Sequence, residues 1–324
     1  MSKVIVTGGS GFIGSNLVNK LLELGWVVLN YDVNAPKIEA HYKFWKNIDV
    51  TDRRLLIDSV GSDKPDYIIH LAARTDLNEK YSLDGYAANI EGVRNIMDAA
   101  SGLNDLRRVI IASSMLVCKL GFIPKTFDDY APNSLYGESK VLTEKIVKEY
   151  NINWTIVRPT SIWGPWFGEP YKNFFQLVLK GLYFNIPEKA ASTKTYGYVK
   201  STCNQILQIM LSESPSVNHN YFYLGDPQPI NITNWSNRIR ILNGKKNVVV
   251  LPSWLLRLAG LFGDILRDRL GINHFPMTTF RYRNMTSNNI ILDLNRTIEI
   301  TGVGKESNLD MEILETLNWL KNNK

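Results

Sequence analysis

Tyr136 and Lys140 stand four residues apart in SLYGESK (134–140), a spacing that puts two side chains on one face of a helix. A phenol beside an ammonium suggests alcohol chemistry. Free tyrosine, with a pKa of about 10, is a poor base at neutral pH, and a lysine charge one turn away makes it a better one. Spacing alone does not select the pair. With 15 Tyr and 22 Lys in 324 residues, roughly one Tyr-x-x-x-Lys arises by chance, and the chain has three, the others being Tyr42/Lys46 and Tyr196/Lys200. What distinguishes Tyr136/Lys140 is Ser114, which closes the apolar run RVIIASS (108–114) upstream and can steady the oxygen of a developing alkoxide.

Such a trio needs a scaffold that also holds a hydride acceptor. TGGSGFIGSNL (7–17) places Gly8, Gly11 and Gly14 directly after the strand candidate VIVTG (4–8) and at the opening of a helix. Glycines there permit a tight turn and the approach of a pyrophosphate, while the amides of Phe12 and Ile13 face its oxygens. Asp32 ends the next strand candidate, WVVLNYD (26–32), where a carboxylate accepts from adenosine ribose hydroxyls and repels a 2′-phosphate. No Lys or Arg follows until Lys37, so the expected cofactor is NAD rather than NADP. Asp49 and Val50 are candidates for the adenine side, with a turn cap as the alternative for Asp49.

Further strand candidates DYIIHLAA (66–73), RVIIASS (108–114) and WTIVRPT (154–160) alternate with helical stretches near 14–24, 52–60, 84–102 and 134–150. Right-handed crossovers between them predict a doubly wound parallel α/β sheet of the Rossmann type. The expected organisation is a dinucleotide-binding domain over 1–162, with a later strand and helix near 200–225 added, and a smaller substrate-binding region over 163–324. YFYLG (221–225) and VVVLP (248–252) read as later strands, and 308–322 as a closing helix. His70, inside an apolar strand, reads as a satisfied core histidine.

Residues 1–162 carry 19 basic and 19 acidic side chains and residues 163–324 carry 18 and 12, so the net charge of +6 belongs to the second half. That excess suits an anionic ligand. No basic run with interleaved aromatics marks a nucleic-acid groove. Cys118 and Cys203 form neither a disulfide framework nor a metal site. MSKVIVTGG shows no charged-then-apolar leader, no run reaches the roughly 20 apolar residues of a membrane span, and cytoplasmic location is expected. The segment 254–271 reads as an amphipathic surface or interface helix.

VTGGSGFIGSNL, IIHLAA, ANIEGVRNI, ASSMLV, YGESK and IVRPTSIWGP together resemble the extended short-chain dehydrogenase/reductase superfamily, in its NAD-dependent sugar epimerase/dehydratase branch. The resemblance covers about half the chain. It implies that Leu71, Ala72 and Ala73 line the pyrophosphate and nicotinamide-ribose side, and that Asn89 braces a central helix near the cofactor. It implies further that Ser113 lies beside the cofactor, that the backbone of Arg158, Pro159 and Thr160 borders the nicotinamide, and that Ser114, Tyr136 and Lys140 are catalytic. A homodimer through the helices near 84–102 and 134–150 is implied as well. Where many members read Val-Tyr-Gly, this chain has Val117-Cys118-Lys119, and where many read Tyr-Val-Asp-Asp it has Tyr198-Val199-Lys200-Ser201. Met115-Leu116 replace the Asp-Glu of the sugar-nucleotide dehydratases, which argues against dehydration.

The expected substrate is a nucleoside-diphosphate sugar, epimerised or reduced at a secondary alcohol or ketone. Lys194, Arg281 and Arg283 are the candidate diphosphate contacts, the last two in FRYRNM (280–285), for which a solvated strand face is the alternative; Asn173 and Tyr196, the latter in the candidate substrate segment KTYGYVK (194–200), complete the candidate substrate set together with Ser114. Two alternatives share the fold: a dehydrogenase of a hydrophobic, steroid-like alcohol, and a non-catalytic dinucleotide sensor.

Overall fold

Runs of valine and isoleucine without polar alternation suit strands covered on both faces. The computed structural model describes residues 2–77, 79, 81–270, 277–286, 292–303 and 308–323. Its strands are β1 (Lys3–Thr7), β2 (Val27–Tyr31), β3 (Trp45–Lys46), β4 (Tyr67–His70), β5 (Arg108–Ala112), β6 (Trp154–Pro159), β7 (Ser161–Trp163), β8 (Thr193–Lys194), β9 (Tyr196–Tyr198), β10 (Asn220–Leu224) and β11 (Ile230–Asn231). Its helices are α1 (Phe12–Glu23), α2 (Arg53–Asp63), α3 (Ala87–Ser101), α4 (Leu135–Val147), α5 (Tyr171–Lys180), α6 (Val199–Leu211), α7 (Ile232–Leu242), α8 (Ser253–Leu270), α9 (Thr279–Thr286), α10 (Asn295–Thr301) and α11 (Leu309–Asn322). Contacts divide the chain into two units. One comprises Met1–Ile162, Gly197–Gly225 and Asp293–Glu306, the other Trp163–Tyr196, Asp226–Leu292 and Ser307–Lys324.

The first unit is the expected doubly wound sheet. Seven parallel strands lie in the order β10-β6-β5-β4-β1-β2-β3. Successive side chains of a strand point to opposite faces, and both faces are buried. Val4, Val6, Ile69 and Ile110 pack with Leu17 and Leu21 of α1 and Ile206 and Met210 of α6. Ile5, Ile68, Val109 and Ile111 pack with Leu56 of α2, Ile96 of α3 and Ile146 of α4. The chain leaves β1 toward β2 on one side and returns to β4 on the other, with Thr7 paired in register to His70. That reversal is the switch point at which doubly wound sheets collect ligands.

In the second unit α5 and α11 pack on α7, α8 packs on α9, and β8 pairs antiparallel with β11. Its core is aromatic: Trp163 and Trp235 are fully buried and meet edge-on at 5.1 Å, and Phe175 lies 5.6 Å from Trp235.

Two elements depart from the sequence reading. VVVLP forms no strand of a sheet. Its single bridge joins Val250 to Asn185, while the Val249 and Val250 side chains stay exposed, with no covering layer to reward strand pairing. FRYRNM lies in α9, so Arg281 and Arg283 belong to a helix rather than to a solvated strand. The Asp264 carboxylate accepts from Thr279 N–H, and the Thr278 hydroxyl accepts from Arg281 N–H, which satisfies the open amides of the first turn. Gly271, placed at the end of the amphipathic segment, lies outside the described residues.

Close approach of α1 to the glycine loop explains Gly14. A Cβ there would sit 2.1 Å from the Gly8 carbonyl oxygen and 2.7 Å from Gly9 Cα, both backbone atoms that cannot step aside. Gly14→Ala is expected to cost about 1–3 kcal/mol of stability, read as a lower urea midpoint. A neutral result would mean that α1 can shift outward.

Candidate functional site

The glycine loop lies at the switch point. Gly8 has φ +71°, a left-handed backbone that suits glycine, and its N–H donates to Tyr31 O at 2.8 Å. A Cβ at Gly8 would meet Ala72 N at 2.6 Å, so the loop lies against the chain leaving β4. There Leu71 N–H donates to Thr7 O and Ala72 N–H to the Thr7 hydroxyl. Gly11 is the N-cap of α1 and has no capping side chain, and no acid stands in the first turn, so the helix presents a positive end.

Asp32 is buried beside this loop. Its Oδ2 accepts from Ser10 N–H at 3.0 Å and its Oδ1 from Asn34 N–H at 2.8 Å. It makes no ion pair among the described residues, and carboxylate oxygens have further acceptor positions. A positive helix end, a glycine cradle and an acceptor-only carboxylate fit a dinucleotide's pyrophosphate and ribose hydroxyls. Asp49 is exposed and accepts from both the amide and the hydroxyl of Thr51 at 2.8 Å, so its side chain caps a turn. Val50 is buried under α3, close to Gly92.

The loop after β5 and the start of α4 meet closely. A Cβ on Gly137 would lie 2.4 Å from Leu116 O, so the glycine following Tyr136 allows the approach. Ser134 caps α4 by accepting from Gly137 N–H, and Ser114 accepts from Leu116 N–H. Tyr136, only 7 % exposed, lies 6.0 Å from the Tyr86 ring, and its phenol feels the Ser114 side chain. Burial pushes the Tyr136 phenol up to about 12, against the lowering effect of the Ser114 hydroxyl, and Tyr86 adds to the rise.

Lys140 is buried on the same helix, its ammonium donating to Ala112 O at 2.8 Å. Burial lowers it to about 8, with Glu144 opposing. His70 donates to or accepts from the Thr7 hydroxyl through Nδ1 at 2.8 Å, and its buried Nε2 has no partner among the described residues. Burial, aided by the Lys140 charge, holds its pKa at about 3, so the imidazole is neutral. The Lys140 shift has a consequence for stability. The unfolded lysine, near 10.5, keeps a proton that the folded one releases from about pH 8 upward. The unfolded state therefore binds more protons across that window, and this group's contribution to stability rises with pH from about 8 to 10.5. Lys140→Met is expected to flatten that rise when urea midpoints are compared on either side of pH 9.

Behind the pair lies a charged network that the sequence reading did not find. Glu144 and Arg158 are both fully buried and joined by two hydrogen bonds, Nε to Oε1 at 2.8 Å and an Nη to Oε2 at 2.6 Å. Ser113 donates to Glu144 Oε1 at 2.5 Å and Tyr130 to Oε2 at 2.9 Å. The hydroxyl of Ser113 and the guanidinium of Arg158 are thus committed to Glu144 rather than turned to a cofactor. The Arg158 cation is flanked by the rings of Phe127, Tyr130, Tyr221 and Tyr223 at 5.0–5.7 Å. Pro159 ends β6, and the N–H of buried Thr160 donates to Leu224 O. Glu144 follows Lys140 by four residues, a helical spacing that could have revealed it; Tyr86 is fifty residues from Tyr136 and gave no signal.

Asn89 is likewise saturated by protein groups. Its oxygen accepts from Arg74 N–H, and its amide donates to Arg74 O and to Ser139 Oγ, so it braces α3 against α4. Those two helices show no exposed large hydrophobic residue.

In the second unit, Lys194 is half-buried on β8, makes no ion pair among the described residues, and is lowered by burial to about 8. Tyr196 is a core residue, 3 % exposed and 4.8 Å from Trp235, which its place in a candidate substrate segment did not anticipate. Asn173 is half-buried on α5; on α9, Arg281 is half-buried and Arg283 exposed. No cluster of His, Cys, Asp and Glu suited to a metal occurs among the described residues, and none of their helices is long and apolar enough to cross a membrane.

Comparison with known proteins adds to this geometry. The family model described as NAD dependent epimerase/dehydratase matches residues 4–213. A 3-beta-hydroxysteroid dehydrogenase of Mycolicibacterium neoaurum is 33 % identical over 197 residues, 56 % of this chain and 53 % of that protein, so the match spans about half the relative's length. A UDP-glucose 4-epimerase of Vibrio cholerae is 27 % identical over 287 residues, 82 % of this chain and 84 % of the relative. The structure of a UDP-glucose 4-epimerase from Thermotoga maritima with UDP-glucose aligns over 99 % of both chains with a TM-score of 0.74 at 21 % identity, a likeness of fold.

Proposed function

From the premise that this chain belongs to the NAD dependent epimerase/dehydratase family, we propose that it epimerises or reduces a nucleoside-diphosphate sugar at a secondary alcohol carbon. The observation that carries the substrate class is Lys194. A half-buried ammonium without an acidic partner among the described residues is destabilised until an anion reaches it, and a diphosphate supplies that charge. A neutral sterol offers it nothing.

In this reading Gly8, Gly11, Gly14 and the first-turn amides of α1 hold the dinucleotide pyrophosphate, and Asp32 accepts from the adenosine ribose. When bound, NAD supplies the nicotinamide that takes a hydride from the carbinol carbon and can return it. Tyr136 exchanges the proton with the substrate oxygen, giving it up in reduction as the phenol that burial favours, Ser114 donates to the same oxygen as charge develops, and Lys140 is the buried cation one helical turn away. Met115 and Leu116 provide no acid–base pair for eliminating water, which leaves epimerisation and net reduction. The steroid reading has a specific observation of its own, the 33 % identity to the Mycolicibacterium dehydrogenase.

The test is to supply purified protein with UDP-sugars, GDP-sugars and dTDP-sugars on one side and 3β-hydroxysteroids with NAD on the other. Interconversion of epimers with NAD retained, or NADH-dependent reduction of a keto sugar nucleotide, is the expected result. Oxidation of a sterol with no response to any sugar nucleotide would overturn the reading. Lys194→Met is expected to raise the sugar-nucleotide KM while sparing NAD binding.

A further inference from the structure

Helix α8 carries an exposed apolar stripe that the proposed reaction does not use. Trp254, Leu255, Leu258, Leu261, Phe262 and Ile265 are 39–63 % exposed. At 100° per residue they form one stripe on the helix. The opposite side is occupied: Leu256, Gly260 and Gly263 are buried, and a Cβ on Gly260 would lie 3.1 Å from the backbone of Thr278 and Thr279, where α9 begins. Exposing six large apolar residues in a row is costly for a surface that stays in water.

The charges around the stripe are mainly positive. Lys245 and Lys246 are exposed on the segment leading into α8, Arg257 is exposed beside the stripe, and Arg269 is exposed in the last turn. Asp268 is the exposed acid of the helix among the described residues, and Asp264 is turned to the Thr279 amide. The unit that contains α8 holds 15 Lys and Arg against 8 Asp and Glu, a net charge of +7, whereas the other unit holds 22 against 23.

We propose that α8 docks this protein onto an anionic phospholipid surface, lying in the plane of the interface with the Trp254–Ile265 stripe among the acyl chains. An amphipathic helix with Trp, Phe and Leu on one face and basic residues around it has the chemistry for that position. Its length and charge suit lying on a bilayer rather than crossing it. Charge also decides between lipid and a second copy of the chain. A two-fold pairing through α8 would bring together two faces that each carry the exposed Arg257 and Arg269, whereas anionic headgroups neutralise both cations. Trp254, 63 % exposed at the start of the stripe, suits the headgroup boundary.

The test is flotation of the full-length protein with vesicles of mixed phosphatidylcholine and phosphatidylglycerol. Binding is expected, falling about tenfold with phosphatidylcholine alone or in high salt. Leu258→Glu/Ile265→Glu should weaken it by on the order of 100-fold or more, the loss of two buried apolar side chains, with an unchanged thermal midpoint because both positions face outward. Lys245→Glu/Lys246→Glu should reduce binding to the mixed vesicles while leaving the apolar stripe intact. Absence of flotation would overturn the proposal, as would flotation that survives Leu258→Glu/Ile265→Glu. So would a concentration-dependent dimer dissolved by that variant without any vesicle binding, which would make a second copy the occupant.

Discussion

Replacing Tyr136 with Phe is expected to lower turnover by about three orders of magnitude while NAD affinity stays within a few fold. The substitution removes one oxygen from a ring that keeps its packing against Tyr86, so the fold has little reason to respond. What it removes is the proton acceptor at the alcohol, and positioned acid–base groups contribute roughly 10²–10⁴ in rate. The 7 % exposure of Tyr136 makes this the group whose loss no water can easily replace. Ser114→Ala, which leaves the phenol in place, is expected to cost less, about 10–100-fold. The measurement is single-turnover kinetics on a responding sugar nucleotide, with NAD binding followed separately. Turnover of Tyr136→Phe within tenfold of the parent enzyme would remove Tyr136 from the chemistry.

Arg158→Met is expected to destabilise the first unit by about 3–5 kcal/mol, because it leaves the Glu144 carboxylate buried without its cation. Neither side chain is exposed, so solvent offers no substitute partner. Burial alone would lower the Arg158 pKa, but the hydrogen bonds and charge of Glu144 more than offset it and raise it above the usual guanidinium range. The loss should appear as a thermal midpoint lower by roughly 5–10 °C. Arg158→Met/Glu144→Leu is expected to cost less than the two single changes together, since it removes both charges at once. Additive effects in that cycle would show that the pair contributes through packing alone. The network also touches Ser113 and lies one helical turn beyond Lys140, so Arg158→Met should alter the pH profile of turnover more than it alters KM.

Patterns of residues close in sequence made much of this protein legible. The glycine loop could be read because Gly8, Gly11, Gly14 and the helix start lie within one turn of chain, and Asp32 because it ends the next strand. The parallel sheet followed from apolar runs alternating with helical ones. Within the second unit the reading was weaker: VVVLP carries β-branched residues but has no sheet to join, and FRYRNM takes a helical form imposed by Asp264 and Thr278. Tyr196 looked like a substrate contact because of its neighbours in sequence, whereas Trp235, thirty-nine residues later, fixes it in the core.

The sequence by itself determined the family, the cofactor and the type of fold, since these depend on local spacing: glycine where backbone must approach backbone, an acid at a strand end, a helix that presents Tyr and Lys on one side. The tertiary structure decided which side chains are left to act. It committed Asn89 to Arg74 and Ser139, and Ser113 and Arg158 to Glu144, while it left Lys194 without an acidic partner among the described residues and the α8 stripe exposed. The reason is physical. A buried polar group must find a partner, and that partner comes from whichever strand or helix packs across from it, a relation that no short stretch of sequence contains.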